Sequence, residues 1–308
     1  MPDPRGAPPP TNPREGHEPA SPALSSVPQK QALRALPRLA VRKTYKLFIG
    51  GGFPRSESGR TYLVQGSNVA RASRKDLRDA VVAARAAVGR WAGATAYLRG
   101  QILYRVAELL EGRRAEFTAL GVPTPEVDAA VDRWVWYAGW ADKIGQVYGN
   151  ANPVAGPYFN FSTPEPTGVV GIVAPDPPPL LGLVSVVAPA IVTGNTAVVL
   201  AAETAPRTAV TLAEVLATSD LPGGVVNLLT GQPAETAPWL ASHADVDALD
   251  LTGVADPELA GSLEAAAAET LKRVVRPSAD PVDWTADPGL SRLTAFLETK
   301  TVWHPKGW

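Results

Sequence analysis

From Thr167 onward the chain alternates short apolar runs with amphipathic stretches, and this rhythm limits its architecture more than any other feature. "GVVGIVA" (168–174), "TAVVLAA" (196–202), "GGVVNLLTG" (223–231), "VDALDLTG" (246–253) and "KRVVR" (272–276) read as strands. A continuous apolar run of that length fits a strand covered on both faces. Between them lie four helical segments: 180–194, 205–220, 235–246 and 256–271. Strands alternating with helices at this spacing are βαβ units, whose right-handed crossovers build a parallel sheet. The expectation is an α/β fold: a doubly wound, Rossmann-like sheet of about five strands.

The preceding residues are helical. "SRKDLRDAVVAARAAVGRWAG" (73–93) has Leu77, Val81, Ala84 and Val88 on one face, with Ser73 as N-cap and Asp76 three residues later. Two further amphipathic helices follow at 96–117 and 126–145, the latter carrying Trp134, Trp136, Tyr137 and Trp140 as core aromatics. "YKLFIGGGFPRSESGRTYLV" (45–64) reads as a hairpin across a Gly, Pro and Ser turn. After Arg276 the rhythm stops. Residues 277–290 read as an acidic, Pro-containing linker, and "TKTVW" (299–303) as a terminal strand that must pair with the early hairpin or with another subunit. Residues 1–40, rich in Pro, Ala and Ser, read as a disordered arm that buries too little apolar surface to offset ordering. The organisation is therefore an arm (1–40), a main domain with its hairpin (41–276), and a linker with a terminal strand (277–308).

Composition removes several function classes. A net charge of −1 leaves no electrostatic footprint for nucleic acid or an anionic membrane. There is no cysteine, which excludes a thiolate metal site and a cysteine nucleophile. His17, His243 and His304 are too dispersed for a histidine metal cluster. The longest apolar run, 180–192, is too short to span a bilayer, and a cytoplasmic protein is expected.

The parallel domain lacks G-x-G-x-x-G. Its strand-end turns are 174–179, 201–204, 230–233 and 252–254. The first, "APDPPP", has prolines at 175, 177, 178 and 179, so it offers few N–H groups to an anion, and Asp176 adds repulsion. Glu203 follows the second strand, and Asp250 and Asp256 flank the end of the fourth; without a partner nucleophile they read as caps or solvated charges.

The order of segments resembles the aldehyde dehydrogenase superfamily from about Lys43 to Arg276 and again over Leu293–His304. The matching pieces are "LFIGGGF", "AVVAARAAVGRWAG", "RGQILYRVAELLE", "WYAGWADKIG", "EPTGVVGIVAP", "APAIVTGNTAVVL", "LPGGVVNLLTG", "LTG" and the tail "LETKTVW". The resemblance implies an NAD or NADP site, an oxyanion-hole Asn, a general-base Glu, and a cysteine-bearing domain between the fifth strand and the terminal strand. The departures coincide with those features. The family's Pro-Trp-Asn-Phe-Pro is Pro175, Asp176, Pro177, Pro178, Pro179 here, its ribose-binding Lys is Leu200, and its Gly-x-Gly is Gly231, Gln232, Pro233. Its Thr-Gly-Ser is Thr252, Gly253, Val254, and its general base falls on Pro277. Val173, Glu203, Thr252 and Gly253 remain as vestigial cofactor-facing positions, with no catalytic residue. The resemblance thus implies a degenerate, inactive member with NAD or NADP binding weakened or lost. Its partner would be a second copy or a full-length aldehyde dehydrogenase paralogue, reached through the hairpin and terminal strand. The alternative is an NAD(P)-dependent subunit active only when a partner chain supplies the cysteine domain.

Overall fold

The computed structural model describes residue 39 and residues 41–307, so the expected N-terminal arm falls, but for Leu39, outside the described residues. The early hairpin is displaced from its expected place. It is formed by β1 (Thr61–Val64) and β2 (Ser67–Ala70), joined at Gln65 and Gly66, which both have positive φ as a tight two-residue turn requires. Residues 45–49 do not pair with 61–64. Tyr45 bridges Val69, while the N–H and carbonyl of Phe48 bond Leu228 at 2.9 and 2.7 Å. Leu47 and Phe48 are buried there, so "KLFIGG" is consumed inside the chain rather than left for a partner.

Helix α1 (Arg74–Ala92) begins at the expected cap: Ser73 and Asp76 close a reciprocal capping box. Helices α2 (Ala96–Gly112), α3 (Arg114–Ala119), α4 (Thr124–Trp140) and α5 (Ile144–Tyr148) follow. Trp134 and Tyr137 of α4 are wholly buried, and Trp136 and Trp140 pack half-buried beside them. Two strands, β3 (Asn150–Asn152) and β4 (Tyr158–Pro166), then precede the main sheet.

That sheet contains β5 (Val169–Val173), β6 (Thr196–Leu200), β7 (Val226–Leu229), β8 (Ala248–Asp250) and β9 (Arg273–Val275), all parallel, in the order β7-β6-β5-β8-β9. The crossovers are α6 (Leu181–Val192), α7 (Pro206–Ala217), α8 (Pro233–Ser242) and α9 (Pro257–Ala268). Every residue of α6 is buried, because α2 and α4 cover its outer side. Alternate strand residues feed two cores: Val170, Ile172, Ala197 and Val199 face α6, while Val169, Val173, Val198 and Leu200 face α1 and α8.

After α10 (Ser291–Thr294), the chain ends in β10 (Leu297–Pro305), and its partner is neither of those expected. It pairs antiparallel with β4 along its whole length, from Leu297↔Pro166 to Pro305↔Tyr158. Prolines 164 and 166 hide β4 in the sequence. They are tolerated because β3 covers only Asn160–Ser162, so the edge beside the prolines lacks a ladder to donate to.

Asp76 is the main polar anchor between the N-terminal loops and the body. Its carboxylate is 4% exposed and accepts from Ser56 Oγ (2.7 Å), Glu57 N (2.9 Å) and Ser73 N (2.7 Å). Burial pushes its pKa up, but these donors win and hold it below the ordinary carboxylate range. Asp76→Asn should cost about 1–3 kcal/mol in urea unfolding at neutral pH. Because the folded pKa is the lower one, the gap between wild type and variant should persist above the unfolded value and close as pH falls through the folded one.

Candidate functional site

Strand order reverses between β5 and β8, and open α/β sheets bind ligands beyond the C-terminal strand ends at such a point. Here the turns after β5 and β8 touch directly. Gly253 N–H donates to Val173 O at 3.1 Å, and a Cβ on Gly253 would collide with the Ala174 carbonyl, so only glycine fits.

Thr252 is engaged as well. Its N–H donates to Asp250 Oδ1 at 3.0 Å and its hydroxyl donates to the same oxygen. Asp250 is 1% exposed, which corrects its reading as a solvated charge; its other oxygen meets Arg292 Nη1 at 3.1 Å. Arg292 also reaches the Thr252 hydroxyl at 3.2 Å and lies over the Trp284 ring at 5.3 Å. Arg133, from α4, donates to Trp284 O (2.7 Å) and Ala286 O (3.0 Å). Residues 284–296 are therefore a strap held across the ends of β5 and β8, with Leu293 and Phe296 buried beneath it. Tyr137 is buried below, its hydroxyl without a partner; burial pushes its pKa up to about 12 against the pull of Arg133 and Arg292.

The β6–β7 side carries a second cluster. Exposed Glu203 accepts from Gln232 Nε2 at 3.1 Å, Gln232 Oε1 accepts from Arg71 at 2.7 Å, and Arg71 pairs with Glu235 at 2.7 Å. Tyr62 brings a buried hydroxyl beside Glu203 and Gly231. Burial, then the Glu203 charge, push its pKa up to about 12.

Between the clusters runs the proline turn. Asp176 accepts from the Thr204 hydroxyl. Helix α6 has no cap from its own turn; instead Glu126 Oε1, from α4, accepts the N–H groups of Leu180 (2.8 Å) and Leu181 (3.1 Å). A carboxylate thus already sits at the positive end of the helix. A cleft of about 260 Å³ remains between Asp176, Thr204, Arg207 and Leu120–Val122. Among the described residues no group of three His, Cys, Asp or Glu is arranged for a metal.

Of the residues singled out in the sequence, Val173, Thr252 and Gly253 come together at the switch point, while Glu203 belongs to the other cluster. Asp256 is the N-cap of α9. Tyr137, read as a core aromatic, is buried as one; Glu126, Arg133, Trp284 and Arg292 were missed. Their partners lie far along the chain (54 residues for Glu126, 151 for Arg133), so local pattern carries no trace of them.

A family model described as "Aldehyde dehydrogenase family" matches residues 64–276. The chain belongs to the aldehyde dehydrogenase family. It is 35% identical over 260 residues to retinal dehydrogenase 2 of Homo sapiens, covering 77% of this chain and 49% of that protein. It is 36% identical over 230 residues to aldehyde dehydrogenase family 2 member B4, mitochondrial, of Arabidopsis thaliana, covering 68% and 42%. Among solved structures, HpcC from Thermus thermophilus superposes with a TM-score of 0.71 at 32% identity, over 75% of this chain and 47% of that one. The NAD+ complex of an aldehyde dehydrogenase from Bacillus cereus gives 0.70 at 29%, over 75% and 50%. The chain spans about half the length of the relatives it matches. No helix among the described residues is long and apolar enough to cross a membrane.

Removing Arg292 strands a buried carboxylate. Arg292→Ala should cost about 3 kcal/mol in denaturant unfolding, the low end for breaking a buried pair because Thr252 still serves Asp250. Hydrogen exchange should show residues 284–296 deprotected in this variant, while β6 and β7 keep their protection.

Proposed function

We propose that this chain is a non-catalytic member of its family that acts by association, as a structural or regulatory subunit. The observation that carries the reading is the interval between β9 and β10. The family resemblance places a whole domain with the cysteine nucleophile there. In this chain residues 276–296 fill the interval, folded down as the strap, and the sequence has no cysteine. A covalent thiohemiacetal route has no nucleophile on this chain.

The crevice also fits a dinucleotide poorly. The Thr252 hydroxyl serves Asp250 and Arg292, Glu203 is engaged by Gln232, and over residues 175–179 only Asp176 carries an N–H. The amides opening α6 belong to Glu126. In calorimetric titration NAD and NADP should bind no tighter than about 1 mM. Micromolar saturation would instead favour a subunit that holds the cofactor for a partner chain supplying the cysteine. That second reading draws its support from exposed Glu203 and from the NAD+ complex among the structural neighbours.

Association is supported by the small sheet. Among the described residues, β10 is bonded to β4 on one side and has a free edge on the other. Tyr158, Phe159, Phe161 and Trp303 stand 40–60% exposed on its two faces. Exposed apolar patches next to an unpaired edge are where protein partners attach. The partner is a second copy or a full-length aldehyde dehydrogenase paralogue, and the cytoplasm is the expected compartment. Phe159→Glu with Phe161→Glu should lower the mass seen in multi-angle light scattering, alone or mixed with a co-expressed paralogue. Deleting residues 299–308 should do the same; an unchanged mass in both variants sinks the idea.

A further inference from the structure

A cleft between α1 and α8 lies apart from the switch-point crevice and from the β4–β10 sheet. It measures about 500 Å³ and is lined by Arg74, Lys75, Leu77 and Arg78 on one side and by Trp239, Ser242 and His243 on the other. Leu77 is 1% exposed and gives an apolar floor, and Trp239, 42% exposed, gives an aromatic wall. Its volume falls in the range of small-molecule sites, roughly 300–1,000 Å³.

The charges at its mouth are not explained by the helix that carries them. Arg74, Lys75 and Arg78 occupy the opening turns of α1, where the dipole disfavours cations. Lys75 and Arg78 share one nearby carboxylate, Asp79, at 3.8 Å from Lys75 and 3.0 Å from Arg78. Arg74 has no ion-pair partner among the described residues. Its guanidinium instead lies 3.9 Å from the centre of the Trp239 ring. Stacking on indole holds the planar group while leaving its N–H edge open for a two-point contact with carboxylate or phosphate. His243 adds a donor. Its Nδ1 accepts the Asp245 N–H at 3.1 Å, which places the ring proton on Nε2. Burial lowers its pKa, so the ring stays a neutral donor near neutral pH. A chain of net charge −1 thus concentrates unbalanced positive charge against an aromatic wall in one concave place.

We propose that this cleft binds a small organic anion with a planar ring, an aromatic carboxylate or a phosphate ester: the anion on Arg74, Lys75 and Arg78, the ring against Trp239. The site is independent of the non-catalytic reading, since none of its lining residues belongs to the crevice.

The test is titration of the full chain with AMP and with phenyl phosphate, followed by calorimetry, with adenosine and inorganic phosphate as single-feature controls. The expected result is saturable binding of AMP or phenyl phosphate below about 1 mM, with both controls at least roughly tenfold weaker. Arg74→Ala and Trp239→Ala should each weaken it roughly tenfold and the charge-reversed Arg78→Glu by more, while Glu203→Ala leaves it unchanged. Phenyl phosphate as the better ligand assigns the site to aromatic acids; AMP as the better ligand assigns it to nucleotides. The proposal is overturned by no saturation up to about 10 mM. It is equally overturned by binding that survives Arg74→Ala combined with Trp239→Ala, or by binding lost in Glu203→Ala. The altered side chains at Arg74 and Trp239 are surface groups, and unchanged thermal melting confirms that lost binding is not lost folding.

Discussion

The ion pair between Asp250 and Arg292 fixes the end of the sheet to the tail of the chain. Asp250 closes β8 at the topological switch point and is almost wholly buried; Arg292 lies in the short helix that leads into β10. A buried carboxylate tolerates this position only with compensating charge and donors, and it has Arg292 and both donors of Thr252. Once Arg292 is in place, Leu293 and Phe296 enter the core. The Phe296 carbonyl then accepts from Thr167 N (3.1 Å) and from buried Asn195 Nδ2 (2.9 Å), and β10 is aligned on β4. Further out, Arg273 of β9 grips Glu298 of β10 at 2.5 and 2.6 Å, so the strap is tied at both ends.

How much of this was readable in advance follows from the range of the interactions. The main sheet was legible because its strands are buried on both faces and the apolar period is local: "GVVGIV" and "TAVVL" state their environment in a few residues. The Ser73–Asp76 cap was legible for the same reason. The small sheet was not. β4 carries two prolines and aromatic residues on both faces, and its register with β10 spans more than 130 residues. The early hairpin was misplaced because a Gly-rich turn at 50–52 and the true turn at Gln65–Gly66 both end β-type runs; only the long-range bridges of Tyr45 to Val69 and Phe48 to Leu228 decide where residues 45–49 lie. Within the site, the departures from the family pattern could be read by position. Glu126, Arg133 and Arg292 could not, because each acts across a long separation.

The polar atoms of the crevice illustrate how strand-end turns are satisfied from within the chain. The N–H and hydroxyl groups of a strand-end turn must be satisfied, and leaving them buried and unpaired costs about 1–3 kcal/mol each. Two remedies are visible here. At 175–179, proline removes four of the five backbone donors. At Leu180 and Leu181 the acceptor is Glu126 from α4, and at Thr252 it is Asp250, two residues earlier. The first remedy removes donors outright; the second keeps them but engages them with internal charge.

These remedies also differ in how they could be reversed, and the stretch around Pro177 shows why a single substitution cannot do it. An asparagine at 177 would regain an amide side chain, yet Glu126 would still hold the opening of α6 and Asp176 would still hold the Thr204 hydroxyl. An incoming anion would meet two carboxylates before any free donor, in a region where water screens them only partly. Clearing the turn therefore means removing Glu126 and Asp176 together, and removing Glu126 unsatisfies two amides at the start of a helix whose every residue is buried. The Glu126 contacts that engage the opening amides of α6 are thus the same ones that seat α6 against α4, so folding stability and the engagement of those amides are maintained by one side chain.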